Sequence, residues 1–102
     1  ATAEGGLWGW QGSLEIALPR LKMLAVKDFY WEKNAAGKWA MKWCPLGDGM
    51  VDWKRVFARL AQAKFSGPIT LHVEYHTSDE LKALADDGAK LRRLMEEAYS
   101  VA

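Results

Sequence analysis

The sequence has few of the features that suit nucleic acid, a membrane or a cysteine-based site. Its single cysteine, Cys44, excludes an internal disulfide and a cysteine-built zinc site, and it fits a reducing cytoplasm. Basic residues number 14 and acidic residues 13, so the net charge of +1 gives no electrostatic basis for binding nucleic acid or an anionic membrane. No apolar run approaches the length of a membrane span, and no signal-peptide pattern is present, so no membrane association is expected.

What the sequence does contain is enough apolar material for one small core. Half of the 102 residues are hydrophobic, and six are tryptophan. This composition predicts a folded chain with one domain over residues 1–102. We expect a loop and a short helix over 1–20, a strand, a long loop and a helix over 21–66, and a strand and C-terminal helix over 67–102.

The stretch from Gly67 to Tyr75 is predicted to be a strand because apolar and polar residues alternate along it. The apolar positions are Ile69, Leu71, Val73 and Tyr75, and the polar positions are Thr70, His72 and Glu74. The polar set carries an imidazole and a carboxylate towards the strand's carboxyl end, where α/β sheets and barrels keep their chemistry. A half-exposed edge strand with a solvated polar face fits the same pattern, and both interpretations stay open.

A second strand is predicted from Leu21 to Tyr30. It ends in the charged pair Lys27 and Asp28, which lie on opposite faces if the strand stays regular. Such a pair is often the solvated boundary of a strand. It is also where an α/β enzyme would place a cation that binds substrate.

Residues 31–50 form a long connection in which a small hairpin is expected. The tetrapeptide 34–37 suits a tight turn, so Tyr30–Lys33 would pair with Lys38–Trp43. The connection carries three tryptophans: Trp31, Trp39 and Trp43. They either cover the mouth of a pocket or pack together under the loop.

Three helices are expected around the two strands. A short one is predicted from Ser13 to Leu18 after a loop over 1–12, and Asp52 caps a second that runs to Lys64. A capping box of Thr77 and Glu80 predicts a third that ends near Tyr99. Its predicted apolar stripe consists of Leu81, Leu84, Leu91, Leu94 and Met95.

The order of these elements predicts a sheet that this chain cannot complete. Two strands joined through a helix form a parallel crossover, and parallel sheets are normally covered on both faces and contain more than two strands. Here the helices can cover one face only. The other face would be bare, with Met23, Ala25, Lys27, Thr70, His72 and Glu74 on it. We therefore expect the chain to pair with copies of itself or with the rest of a larger protein.

Three segments, in this order and at these spacings, resemble the sugar phosphate isomerase/epimerase family of the xylose isomerase-like TIM barrel superfamily. They are Ala25–Phe29, Pro45–Trp53 and Phe65–Tyr75. The resemblance covers nearly the whole chain, and it implies strands seven and eight of the barrel with their helices. Residues 1–6 resemble the stretch after strand six. The implied fold is a partial (quarter) TIM barrel, completed by self-association.

The resemblance also implies roles for individual residues. Glu74 matches the family's final-strand glutamate, a metal ligand and sometimes a base. Lys27 and Asp28 match the end of a His-x-Lys-Asp motif, in which the lysine binds a substrate oxygen or phosphate. Ala25 stands where many members place a metal-binding histidine.

These correspondences give a set of predicted site residues. Glu74 and Lys27 are the catalytic candidates, and Lys27, His72 and Trp31 the substrate-binding ones. Glu74 and Asp28 would ligate a divalent metal only in an assembled barrel, and no cofactor is expected in the isolated chain. His76 lies just beyond the strand and could join them. The alternative for Glu74 is a purely structural ion pair with Lys27 across the parallel strands.

Two functions follow from this set. One is a fragment that is catalytically incomplete by itself and exists as a homo-oligomer, which is favoured because most of the family's metal ligands fall on absent strands. The other is a metal-dependent aldose–ketose isomerase or epimerase, acting on a sugar or sugar phosphate in a full barrel. Endonuclease IV-type DNA repair enzymes share the superfamily, but the charge does not support nucleic-acid binding.

Overall fold

A computed structural model describes residues 9–100 of the chain. Its elements in chain order are α1 (Gly9–Ala17), a 3₁₀ turn (Leu18–Arg20), β1 (Leu24–Val26), β2 (Asp28–Lys33), β3 (Trp39–Cys44), α2 (Trp53–Gln62), β4 (Ile69–Leu71) and α3 (Glu80–Ser100). None of the helices in this range is long and apolar enough to cross a membrane. The predicted α/β class is confirmed.

Strands β1 and β4 form the predicted parallel pair. Ala25 lies opposite Thr70 in the register, and helix α2 comes between the two strands in the chain. The strand predicted over residues 67–75 is shorter than expected. The amide of His72 donates to the carbonyl of Val26 (2.9 Å) at the end of the ladder. Beyond that point the neighbouring chain leaves for another sheet, so Val73 and Glu74 have no strand beside them.

Strands β2 and β3 form the predicted hairpin, in which β2 begins two residues earlier than expected and β3 keeps the expected six residues but lies one residue later. Tyr30 lies opposite Lys42 in the antiparallel register. The Asn34 side chain accepts hydrogen bonds from the amides of Ala36 and Lys38, and Gly37 has a φ of +76° that favours glycine. The single strand expected over residues 21–30 was therefore wrong, since it divides between two sheets at residue 27.

Helix α2 supplies most of the core, as its periodicity predicts. Its apolar positions are buried, and Asp52 caps it by accepting a hydrogen bond from the amide of Arg55. The buried cluster comprises Val26, Leu46, Trp53, Val56, Phe57, Leu60, Phe65 and Leu91. Burial of these side chains against β1 and α3 positions the ends of the parallel strands.

Helix α3 begins later than the predicted capping box. Asp79 caps it, because its carboxylate accepts from the amide of Lys82, while the hydroxyl of Thr77 accepts from the amide of Asp79. Leu91 is buried, but Leu81 is 82% exposed and Leu84 is 47% exposed. The prediction that both belong to the packed stripe was wrong, because the first turns of α3 lie outside the core cluster.

Helix α1 corrects the expectation of a loop followed by a helix from Ser13. The helix already begins at Gly9 and places Ser13 in its middle, while Trp10 and Leu14 pack against the core. Tertiary packing of these side chains overrides the poor helix propensity of the glycines. The part of the predicted loop before residue 9, including the segment compared with the stretch after strand six, lies outside the described residues.

The second face of the β1–β4 sheet is exposed. Across residues 9–100 no third strand joins this sheet, and the helices pack on one side of it. Met23 is 56% exposed, and Ala25 and Thr70 are exposed as well. The predicted two-stranded core with one bare face is present.

Candidate functional site

The carboxyl ends of β1 and β4 bring Lys27 and Glu74 together. Lys27 directly follows β1, and Glu74 comes three residues after β4. The ammonium nitrogen of Lys27 lies 3.0 Å from Glu74 Oε2, and the two side chains are 37% and 41% exposed. The ion pair that was the structural alternative for Glu74 is therefore formed.

The electrostatics of Glu74 follow from its two neighbours, Lys27 and His72. The hydrogen bond from Lys27 holds the pKa of the Glu74 carboxyl below its ordinary value, and His72 acts in the same direction more weakly. The Nδ1 atom of His72 lies 3.6 Å from Glu74 Oε1. Glu74 is consequently a stable carboxylate at neutral pH, which suits binding a cation better than donating a proton.

Lys27 is also held from the hairpin. Its ammonium lies 4.2 Å from the centre of the Trp43 ring, and Trp43 in turn packs edge-on against Phe29. The carboxylate and the aromatic face hold the ammonium from two different elements. The hairpin is thereby tied to the ends of the parallel strands.

An open groove of about 740 Å³ lies beside this pair. Its walls come from the hairpin, from the loop after it and from the segment after β4. The lining residues are Tyr30, Glu32, Met41, Lys42, Trp43, Cys44, Pro45, Asp48, Glu74, Tyr75, His76 and Thr77. His76, for which a place in the site and a plain surface position were both open, is exposed and lies on this wall. Trp31 is 41% exposed on the hairpin and does not line the groove, and its predicted substrate contact stays a prediction.

Asp28, the predicted metal ligand, is 1% exposed and is surrounded by donors. Its carboxylate accepts hydrogen bonds from the backbone amides of Gly47, Gly49 and Val51, at 2.9, 3.2 and 3.4 Å. It also accepts from its neighbour's amide in the chain (2.9 Å) and from the indole N–H of Trp53 (3.0 Å). These donors bind the oxygens that a metal would need, so its metal role has no support from this geometry and stays a prediction.

Two glycines allow the loop to wrap this closely around Asp28. Gly47 has a φ of +93°, and a Cβ on Gly49 would overlap the carboxylate of Asp28 and the carbonyl of Phe29. Asp48 lies between them and lines the groove, with its carboxylate 3.7 Å from the ammonium of Lys90. The Asp28 network therefore determines the position of one wall of the groove.

Comparison with known proteins decides the family. The model of the xylose isomerase-like TIM barrel family matches residues 7–95. The chain belongs to this family. A comparison with curated proteins found no match for the sequence.

A solved structure shows how much of the barrel the chain represents. It is the crystal structure of a xylose isomerase-like TIM barrel protein from Mycobacterium smegmatis in complex with magnesium, and it matches with a TM-score of 0.68 at 19% identity. The match covers 87% of this chain and 29% of that protein. At this identity the similarity establishes the fold alone. The chain is thus a fragment of a xylose isomerase-like TIM barrel, as its two parallel strands without a closed sheet also show.

The metal that the barrel family implies does not fit the residues of this chain alone. Across residues 9–100 there is no group of three or more His, Cys, Asp or Glu side chains that could hold an ion. Glu74 and His72 are the available pair, and Glu74 is already bound to Lys27. Divalent metals require more oxygen or nitrogen ligands than this.

The sequence pointed to Lys27 and Glu74, but not to the groups that contact Lys27 and Asp28. Trp43 was one of three candidate tryptophans, and only the hairpin register decides which of them reaches Lys27. All but one of the five donors around Asp28 within residues 9–100 are backbone amides, which leave no direct signal in a sequence. The glycines at 47 and 49 were the available signal, since they permit the close approach of the backbone to a carboxylate.

Proposed function

We propose that the chain is the C-terminal part of a sugar phosphate isomerase/epimerase-like barrel, catalytically incomplete by itself and present as a homo-oligomer in the cytoplasm. The observation that carries the proposal is the composition of the site. Lys27 and Glu74 meet at the carboxyl ends of the parallel strands, where barrels of this kind keep their chemistry, and within residues 9–100 His72 is the potential ligand that lies against Glu74. Two potential ligands do not make a preorganised metal site.

The ion pair between Lys27 and Glu74 itself argues against catalysis by the isolated chain. A base has to reach the proton it removes, and the carboxylate of Glu74 is occupied by an ammonium at 3.0 Å. The same contact keeps the pKa of the Glu74 carboxyl low, which makes it a weaker base. In this state Lys27 and Glu74 join two strands rather than act on a substrate.

The second candidate function is a metal-dependent aldose–ketose isomerase or epimerase, formed when the chain is part of a complete barrel. It is favoured by the position of the groove, which opens beside Glu74 and carries further polar groups. In such a barrel Lys27 would bind a substrate oxygen or phosphate, and Glu74 would move a proton between adjacent carbons of the sugar. The remaining metal ligands would have to come from other strands.

Metal content and proton exchange distinguish the two functions. The purified chain is dialysed against Mn²⁺ or Mg²⁺, its bound metal is measured by mass spectrometry, and exchange of sugar C–H protons in D₂O is followed by ¹H NMR. The incomplete fragment should retain no stoichiometric metal and catalyse no exchange. Stoichiometric metal together with exchange would contradict it and establish the second function.

A matched pair of variants assigns any activity that is found. Glu74→Gln removes the carboxylate of the site, whereas Glu96→Gln removes an exposed carboxylate on α3. An isomerase that depends on Glu74 loses exchange in the first variant and keeps it in the second. Equal exchange in both variants would show that the exchange does not depend on Glu74.

A further inference from the structure

Helix α3 carries a buried carboxylate on the face that packs against the core. Asp87 is 2% exposed, and it lies one turn before the buried Leu91 and two turns before Leu94, which also packs against the core. A charged group in such a position costs free energy unless hydrogen bonds satisfy it. Apolar side chains often replace buried charges without loss of stability, so stability alone does not account for a carboxylate here.

The hydroxyl of Tyr75 satisfies this carboxylate. It donates to Asp87 Oδ2 at 2.8 Å, and Tyr75 lines the groove next to Glu74. Burial raises the pKa of the Tyr75 phenol to about 12, and the hydrogen bond to Asp87 acts in the same direction. The phenol therefore stays protonated and can donate throughout the neutral range, and the bond ties the segment after β4 to α3.

The segment that carries Glu74, residues 73–78, has little else to hold it. It forms neither helix nor strand, and within residues 9–100 no backbone hydrogen bond ties it to another element. Val73 and Tyr75 are partly buried, whereas Glu74 and His76 are exposed. Such alternation is typical of an extended chain, in which neighbouring side chains lie on opposite sides. Anchoring Tyr75 on α3 therefore presents Glu74 on the opposite side, where Lys27 lies.

We propose that Asp87 is a positioning residue for the candidate site: by holding Tyr75 on α3, it keeps Glu74 against Lys27 at the edge of the groove. The proposal rests on the proposed function only in taking Glu74 as the carboxylate of the site. Asp87 does not line the groove, so it acts through Tyr75. The contact of 3.0 Å between Lys27 and Glu74 then depends on an anchor on the other side of the segment.

The same face of α3 also contacts the opposite wall of the groove. Lys90 follows Asp87 by three residues, which makes the two side chains neighbours on the helix. The ammonium of Lys90 lies 3.7 Å from Asp48, on the loop after the hairpin. This pair is partly exposed and contributes little, whereas the bond between Asp87 and Tyr75 involves a buried group. Asp87 is thus the stronger of the two links between α3 and the groove.

Carbodiimide cross-linking of the full chain tests the proposal. The reagent joins a carboxylate to an amine in contact with it, so the fraction of chains with a Lys27–Glu74 amide, measured by mass spectrometry of the digest, reports how often the two groups meet. Tyr75→Phe removes the hydroxyl that donates to Asp87, and Tyr99→Phe removes a hydroxyl that donates to the carbonyl of Phe65 (2.8 Å). Cross-linking should fall at least fivefold in Tyr75→Phe and stay unchanged in Tyr99→Phe.

Substitutions of Asp87 separate positioning from stability. Asp87→Asn keeps an acceptor for the Tyr75 hydroxyl, whereas Asp87→Leu keeps the branched shape without an acceptor. Asp86→Leu makes the same change at the neighbouring exposed position. The cross-linked fraction should fall at least fivefold in Asp87→Leu and should remain near that of the wild type in Asp87→Asn and Asp86→Leu. Urea titrations show which variants are folded, and the comparison of Tyr75→Phe with Tyr99→Phe decides the matter if Asp87→Leu is not.

A purely structural role for Asp87 gives a different result. In that case every folded variant, including Tyr75→Phe, keeps the cross-linked fraction of the wild type, and only the free energy of unfolding changes. Wild-type cross-linking in a folded Tyr75→Phe protein would therefore overturn the proposal. The metal and proton-exchange assays of the proposed function do not depend on this outcome, so either proposal can fail without the other.

Discussion

At the scale of single residues, Lys27 determines the state of the candidate site. Its hydrogen bond is the main reason why the pKa of the Glu74 carboxyl lies below its ordinary value. Lys27→Met should therefore raise that pKa towards its ordinary value, which a ¹³C NMR titration of the Glu74 carboxyl measures. Lys22→Met makes the same change in net charge at an exposed position before β1 and should leave the titration unchanged.

The lowered pKa of Glu74 determines how the ion pair with Lys27 changes the stability of the protein with pH. A carboxyl whose pKa is lower in the folded state stabilises the protein above its unfolded-state pKa, and this stabilisation is lost as the pH falls through the folded-state pKa. The wild-type protein should lose this contribution as the pH falls below the ordinary pKa of a glutamate, whereas Lys27→Met has less to lose because only His72 still lowers the pKa of Glu74. Identical pH dependence of unfolding in the two proteins would show that the ion pair contributes nothing measurable.

Replacement of Asp28 should destabilise the protein because five donors surround its buried carboxylate. Asp28→Asn leaves an uncharged amide facing three loop amides and the indole N–H of Trp53, so the free energy of unfolding should fall by about 3 kcal/mol in urea titrations. Asp52→Asn is the matched control and should change it by less than about 0.5 kcal/mol, because asparagine caps helices as well as aspartate. Similar values for the two variants would contradict the structural role of the Asp28 network.

At the scale of elements, the loop between the hairpin and α2 depends on its glycines. Gly49→Ala should destabilise the protein by about 2 kcal/mol, because the new Cβ overlaps Asp28 and the carbonyl of Phe29. Gly88→Ala should stabilise it by up to about 1 kcal/mol, because no atom lies within 4 Å of the new Cβ and alanine favours the helix. Thermal unfolding of both variants measures the difference, and a Gly49→Ala protein as stable as the wild type would contradict the close approach.

Elements were predictable from the sequence where one local signal dominated. The period of Trp53, Val56, Phe57 and Leu60 determines α2, and a short turn with Gly37 determines the hairpin. The beginnings of α1 and α3 were wrong, since two candidate caps lie within three residues at α3 and packing outweighs the glycines at α1. Contacts between elements, such as Lys27 on Trp43, depend on a register that local patterns do not contain.

At the scale of the whole molecule, the parallel β1–β4 sheet is incomplete, because it has two strands within residues 9–100. The parallel order of β1 and β4 and the bare face beside them follow from counting strands and helices in the sequence, and the structure confirms both. Family membership explains the shortage, because the chain spans 29% of the length of a related barrel. Our central proposal is that copies of the chain complete this sheet at its edges.

Amide hydrogen exchange within the two strands tests it most directly. Leu24 and His72 donate inside the β1–β4 pair and serve as references, while the amides of Ala25 and Leu71 point to the outer edges. If copies of the chain complete the sheet, all four amides should exchange slowly at high protein concentration, and Ala25 and Leu71 should speed up on dilution. Fast exchange of Ala25 and Leu71 at every concentration, beside slow exchange of the references, would contradict the account.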